Sequence, residues 1–294
     1  KSRVGLGKAL KHKEAAVRRA AAESLAHMGK SDSLPVLAGS DVADKDTGPD
    51  MLAAIRIVYG KQSLSFVMKG TRNGNVILKR GAVAALGRLV KTPAGKRSQG
   101  KIISTLRGLS GSKDPMIRAA VARSFGAIGG DKVKTDIIKL SADTAIEVKR
   151  AVASALSGFP GPKTVTLLLG YLGEKDPEVV ANSAASVGVL RIKEGVNPVI
   201  NHLNHSDVRV RRSATKSLSQ LGATMKERDP LLRLFAERLQ DSDIDVRLEA
   251  LNGLRLVKDG RAIAAVAPLV QDKELSIRLT TIAVMADSGH TAAV

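Results

Sequence analysis

Apolar residues return along this chain in a fixed stencil. Starting at Val210 they fall at Ala214, Leu218 and Leu221, with Arg211 directly after the anchor and Gly222 at the close. Offsets of zero, four, eight and eleven lie within about 80° of one another at 3.6 residues per turn, so each run predicts an amphipathic helix with one apolar stripe. The stencil recurs from Ile117 (Arg118, Val121, Phe125, Ile128, Gly129), from Val148 (Lys149, Val152, Leu156, Phe159) and from Val17 (Arg18, Ala21, Leu25, Met28, Gly29). Weaker copies start at Leu78, Val179, Val246 and Ile277, and a degenerate one over Gly48 to Gly60 keeps Leu52, Tyr59 and Gly60. The anchors at 117, 148, 179 and 210 stand 31 residues apart, as do 246 and 277, while the gaps before Ile117 and Val246 widen to 39 and 36. Nine units therefore cover nearly the whole chain.

Polar punctuation fits the same period. Lys113-Asp114-Pro115, Lys175-Asp176-Pro177 and Ser206-Asp207 precede three anchors. An Asp at the N-cap accepts from orphan backbone N–H groups, and Pro suits the first helical position. Gly29, Gly129 and Gly222 stand where a left-handed residue would end the helix. Upstream of the caps runs a shorter apolar segment, as in 136–140, 165–169 and 198–203, with Pro35 and Pro198 early in two of these segments. The unit is helix, turn, helix. Neither helix can bury its stripe alone, so the units are expected to stack into an all-α solenoid.

The sequence of Pro, aliphatic helix, Asp, then Val-Arg, Ala, Leu and Gly resembles HEAT repeats, and its 30–31-residue length is most similar to the short HEAT-like repeats of phycobilin lyases. The resemblance spans roughly residues 1–294 and implies a right-handed superhelix of about nine repeats in a single solenoid domain. It implies far less about function, because such repeats serve scaffolds, adaptors, chromophore lyases and DNA glycosylases. The chain departs from the pattern at Val180, which replaces the basic residue after Val179, and in the second unit, which lacks its Val-Arg pair. The resemblance further implies that Arg18, Lys79, Arg118, Lys149, Arg211, Arg247 and Arg278 form an internal ladder with turn aspartates. Their place about 100° from the anchor, at the shoulder of the stripe, agrees with that.

Composition changes the picture in two ways. The apolar content is almost entirely Ala, Val, Leu and Ile, with no Trp, two Tyr and four Phe, which suits closely stacked helices. The balance of charge is strongly basic: 47 Lys and Arg against 28 Asp and Glu, a formal net charge of +19. Such a field attracts nucleic acid, anionic membranes or acidic proteins. It is uneven, since Met51 to Lys113 holds thirteen basic residues and no acid. Arg19, Arg80, Arg123, Arg150, Arg212, Lys216 and Arg255 occupy offsets two, six or nine, mostly opposite the apolar stripe. They are candidates for a broken basic row lining a concave face, the alternative being a solvated helix surface. In 206–222, Arg209, Arg212 and Lys216 are the charges expected to remain available for binding. Between the third and fourth units a segment near 91–101 reads as a basic inserted loop carrying Lys91, Lys96, Arg97 and Lys101, a second candidate surface.

The search for chemistry excludes more than it finds. Without cysteine there is no disulfide, thiolate metal site or thiol nucleophile. Gly29-Lys30-Ser31 resembles the end of a phosphate-binding loop, but Ser24 stands where its first Gly is required, and Gly5-Leu6-Gly7 meets Leu10 where a dinucleotide fingerprint has Gly. His202, His205 and Asp207 are the one cluster of metal-type ligands, and their spacing across a helix end points to turn chemistry. No Ser-His-Asp arrangement is present, and aromatics for holding a base are scarce. The expectation is a non-enzymatic scaffold or adaptor, without cofactor or metal, that binds an acidic protein through the concave basic face. Sequence-nonspecific nucleic-acid binding is the alternative, and a chromophore lyase or glycosylase stands behind both. No apolar run reaches the ~18 residues of a membrane span. The compartment is open, with the cytoplasm slightly favoured. The chain begins at Lys1 and stops at Thr291-Ala292-Ala293-Val294 without a polar closing helix, which suggests a fragment or a further packing partner.

Overall fold

A computed structural model describes residues 2–222 and 229–292, and these residues form two compact units, 1–158 and 159–294. In the first unit the chain runs α1 (Ser2–Ala9), α2 (Ala15–Met28), α3 (Leu34–Ala38), α4 (Gly48–Gly60), α5 (Leu64–Gly70), α6 (Val76–Leu89), α7 (Pro93–Arg97), α8 (Gln99–Leu109), α9 (Pro115–Ile128), α10 (Asp131–Leu140) and α11 (Ile146–Ala155). The second unit runs α12 (Pro162–Leu172), α13 (Pro177–Val189), α14 (Val196–Ile200), α15 (Val208–Gly222), α16 (Asp229–Arg238), α17 (Ile244–Val257), α18 (Ala262–Val266) and α19 (Leu275–Ala292). Among the described residues there is no strand, and no helix is long and apolar enough to cross a membrane. The fold is an α-solenoid of helix pairs. Side chains from His290 onward, residues 293 and 294, and Lys1 lie outside the described residues, and with them the reading of the chain's ends.

Each unit has two layers. In the first, the longer second helices α2, α4, α6, α9 and α11 pack side by side, and the first helices α1, α3, α5, α8 and α10 each cover one of them. In the second, α13, α15, α17 and α19 form the corresponding row, covered by α12, α14, α16 and α18. The core lies between the layers and follows the stencil: Val210, Ala214, Leu218 and Leu221 are fully buried, as are Val121, Phe125, Val148, Val152 and Leu156. A single fully buried aromatic such as Phe125 contributes roughly 2–3 kcal/mol of hydrophobic stabilisation.

Small residues set the spacing of the second helices. A Cβ on Gly87 of α6 would stand 2.7 Å from the Cα of Ser124 on α9, and the Ser124 hydroxyl donates to the Val83 carbonyl at 2.9 Å. Hydrogen bonding to the facing helix satisfies the serine where a larger side chain would force the pair apart. Gly29 takes left-handed backbone (φ 61°) and donates to the Leu25 carbonyl, as expected of a helix-ending glycine. Gly222 does not. It has no left-handed backbone, and a Cβ there would meet the Leu231 side chain at 2.8 Å.

Asn75, Asp114, Asp176 and Asp243 cap their helices through side-chain oxygens that accept from the first-turn N–H groups. Two expectations are corrected. In the degenerate second repeat the buried stripe is Thr47, Met51, Ile55 and Val58, one residue earlier than an anchor at Gly48 would place it. The segment 91–101 is helical and not a loop, forming α7 and the start of α8. Thr92 caps α7 through Gly95, Pro93 stands in its first turn, and Gly95 lies against the Leu89 carbonyl with no room for a Cβ.

Candidate functional site

Arginines just after the anchors tie one repeat to the next. Arg211 on α15 reaches Asp241, in the turn before α17, through two bonds of 2.8 and 2.9 Å, and donates to the carbonyls of His205 and Ser206 in its own turn. Arg118 on α9 repeats the arrangement with Asp143 (2.6 and 3.0 Å) and the carbonyls of Ser112 and Lys113. Arg18 bonds Asp44 at 2.9 Å, and Arg247 comes within 3.9 Å of Asp272. Among the described residues Arg278 takes only the carbonyls of Asp272 and Lys273 in its own turn. Each acceptor aspartate also receives a backbone N–H two residues on, as Asp143 does from Ala145 and Asp241 from Asp243. At Asp143 the Arg118 hydrogen bond outweighs burial and holds the carboxyl below the usual carboxylate range.

The candidate binding row is engaged too. Arg19 on α2 pairs with Asp50 on α4 at 3.1 Å, and Arg80 on α6 grips Asp114, the cap of α9, through bonds of 2.7 and 2.9 Å. In the second unit Arg212 holds Asp243, the cap of α17, and reaches Asp245 at 2.9 Å. Lys216 lies 3.7 Å from Glu249, and Arg255 2.6 Å from Asp287. Arg123 on α9 and Arg150 on α11 also take part in interactions. Arg209 bonds Asp207 at 2.7 Å, so none of the four basic residues of 206–222 is left unpaired, contrary to the expectation for Arg209, Arg212 and Lys216. A wheel drawn for one helix places these cations opposite the stripe. In the stack, that direction holds the acids of the following repeat.

The acid-free segment behaves differently. Lys61 donates to the carbonyls of Ala26 and His27, Arg80 pairs with Asp114, and Arg107 of α8 pairs with Asp136 of α10 at 2.9 Å. The other ten basic residues of 51–113 form no ion pair or side-chain hydrogen bond among the described residues. Lys91, Lys96, Arg97 and Lys101 are among them, all exposed, and Lys101 lines a cavity of about 340 Å³ with Lys69, Arg72 and Ser98 between α5 and α8. Arg56 of α4 is another. It lines a cavity of about 220 Å³ with Arg80, Arg123, Leu52 and Met116, where its Nε is buried without a partner. Sequence reasoning missed Arg56, because an anchor at Gly48 gives it a core offset of eight. With the observed register it falls at offset nine, the position of Arg255.

No metal centre is assembled among the described residues. His205 Nδ1 accepts from the Asp207 N–H at 2.9 Å, and the His202 and His205 rings stand 6.0 Å apart. Burial lowers the His202 pKa. The trio builds a turn.

No curated protein matches the chain in sequence. Among solved structures, an engineered protein superposes with a TM-score of 0.54 at 17% identity, covering 97% of this chain and 88% of its own. The Escherichia coli protein YibA superposes at 0.60 and 16% identity over 90% of this chain and 96% of its own. The complex of CpcE and CpcF of phycocyanin lyase from Nostoc sp. PCC7120 gives 0.49 at 16% identity, over 77% and 95%. Family comparison matches residues 64–157 to HEAT repeats and residues 17–38 to the PBS lyase HEAT-like repeat. The matched segments carry the HEAT repeat, in its lyase-like form over 17–38, and the same capped helix pair returns beyond them among the described residues.

Proposed function

We propose that the chain is a non-enzymatic adaptor that binds an acidic macromolecular partner, a protein foremost, through the basic face of its first unit. The observation that carries this is the failure of internal charge pairing over 51–113. Elsewhere Arg19, Arg118, Arg211, Arg212, Arg247 and Arg255 of the second helices meet acids one repeat away, whereas Arg56, Lys79 and Arg88 of α4 and α6, with seven further basic residues of the segment, have none among the described residues. Unpaired cations keep their field for a partner, and a cluster of one sign speeds encounter with the opposite one. Arg123 and Arg150 extend the face along α9 and α11. Arg80 and Arg19 contribute to its charge but are held by Asp114 and Asp50.

Capture of partners from a nuclease-treated extract tests the reading, comparing the wild-type chain with the Arg123→Glu/Arg150→Glu variant after circular dichroism shows that the variant is folded. Acidic proteins retained by the wild type and lost by the variant support it. Retention of everything by the variant removes the basic face as the binding surface. Loss of all bound material on nuclease treatment replaces the protein reading with nucleic-acid binding through phosphate contacts, whose affinity falls steeply with salt.

A further inference from the structure

The second helices of both units share a rule: a cation on one helix finds its acid on the next. Arg255 of α17, at offset nine, pairs with Asp287 of α19 at offset ten. Arg56 of α4 is the equivalent cation in the first unit, and the equivalent position on α6 is Arg88. A like charge stands where the acid belongs. The consequences are visible at Arg56. Its Nε is shut away from solvent without a hydrogen bond, and among the described residues its guanidinium has no ion pair. Burial, reinforced by the charge of Arg88, lowers its pKa. The nearby acids are occupied, Asp50 by Arg19 and Asp114 by Arg80.

We infer that this vacancy in the ladder is a docking pocket for a carboxylate side chain of an acidic, partly apolar protein segment, received between Arg56 and Arg88 over the cavity of α4, α6 and α9. The inference rests on the adaptor reading and locates its point of specificity. Charge complementarity supplies the first argument: the equivalent guanidinium, Arg255, holds the Asp287 carboxylate, and the offset-two arginines hold theirs through two bonds at Arg80–Asp114 and Arg212–Asp243. The walls supply the second. Leu52, Ala84, Met116 and Ala120 line the cavity beside Arg56, Arg80 and Arg123, and its volume of about 220 Å³ admits one or two side chains. Such a lining suits a peptide with apolar residues next to its acid better than a sugar–phosphate backbone.

The test uses the full chain and two fluorescein-labelled probes, a short peptide alternating Glu and Leu and an oligothymidylate of equal charge, with anisotropy read at ~50 mM salt, where charged contacts are weakly screened. Arg88→Asp restores the internal pair, so it should melt no lower than the wild type while binding the peptide at least about tenfold more weakly, a loss of about 1.4 kcal/mol. Arg56→Gln, which keeps a polar side chain, should weaken binding similarly. Lys11→Glu, the same change of charge in the exposed turn after α1, should alter it less than about twofold. An Arg88→Asp variant with wild-type peptide affinity overturns the inference, as does a wild type that ignores the peptide or prefers the oligothymidylate. If Arg88→Asp has no effect while Arg123→Glu/Arg150→Glu abolishes partner capture, the pocket is refuted and the adaptor reading stands. If that double reversal also leaves capture intact, both fall.

Discussion

Removal of Arg211 gives the sharpest test of what holds the repeats together. Its side chain is 16% exposed and that of Asp241 8%, and the guanidinium makes four hydrogen bonds, two to the carboxylate and two to turn carbonyls. Arg211→Ala leaves Asp241 with the Asp243 N–H as its remaining described donor. Breaking a buried pair costs about 3–5 kcal/mol, and an exposed pair contributes about 0.2–1 kcal/mol. The low exposure of both partners places this pair toward the first range, at about 3 kcal/mol. Arg212 is the internal control. It is one residue on and also paired with an aspartate, but it is 41% exposed, so Arg212→Ala should cost about 1 kcal/mol or less. Equilibrium urea unfolding followed by circular dichroism reads both, as shifts in midpoint at constant slope. A double cycle with Asp241→Asn isolates the pair. If Arg211→Ala costs no more than Arg212→Ala, the ladder is decoration and the apolar stripe alone holds the stack.

Two further outcomes follow from single contacts. Gly87→Ala should destabilise by about 1–3 kcal/mol because the new methyl group meets the Ser124 backbone, whereas Gly170→Ala, exposed on α12 with nothing within 4 Å, should stabilise by about 0.5–1 kcal/mol; thermal melts of the two variants compare them. Asp207 is held at about 2, chiefly by the Arg209 side-chain hydrogen bond, against about 3.9 for an unfolded aspartate. Because the folded value is the lower one, its stabilising contribution is complete above about pH 4 and is lost as pH falls toward 2. A carboxyl-carbon NMR titration should show that midpoint, and Asp207→Asn should flatten the acid limb of the stability curve.

The repeat was legible because its signals are local. The spacing of Val148, Val152 and Leu156, the Asp before Pro115, and the basic residue after most anchors all lie within one helix and its cap. What the sequence hid is relational. Arg212 and Lys216 face away from their own helix's stripe, which reads as solvent until Asp243 and Glu249 of the next repeat are set beside them. Arg56 was hidden by a slip of one residue, since a polar Thr47 occupies a buried anchor position that the stencil reserves for an aliphatic side chain. The segment 91–101 reads as a loop because it carries the excess length between the third and fourth repeats in the acid-free block, yet Thr92 and Pro93 together start a helix.

The two-sided bonding of the turn aspartates also sets where the chain can be cut and rejoined. Asp143 belongs by its backbone bond to the turn before α11 and by its charge to α9. A duplication whose borders fall at that turn separates an arginine from its carboxylate and leaves one unpaired charge at each junction. A block that starts inside α9 and ends inside α11 carries Arg118 and Asp143 together. For the Arg118–Asp143 rung the interchangeable module is thus offset by half a period from the helix pair seen by eye, and recombination or engineering that respects that frame moves the rung whole, while the Arg107–Asp136 pair between α8 and α10 crosses its border.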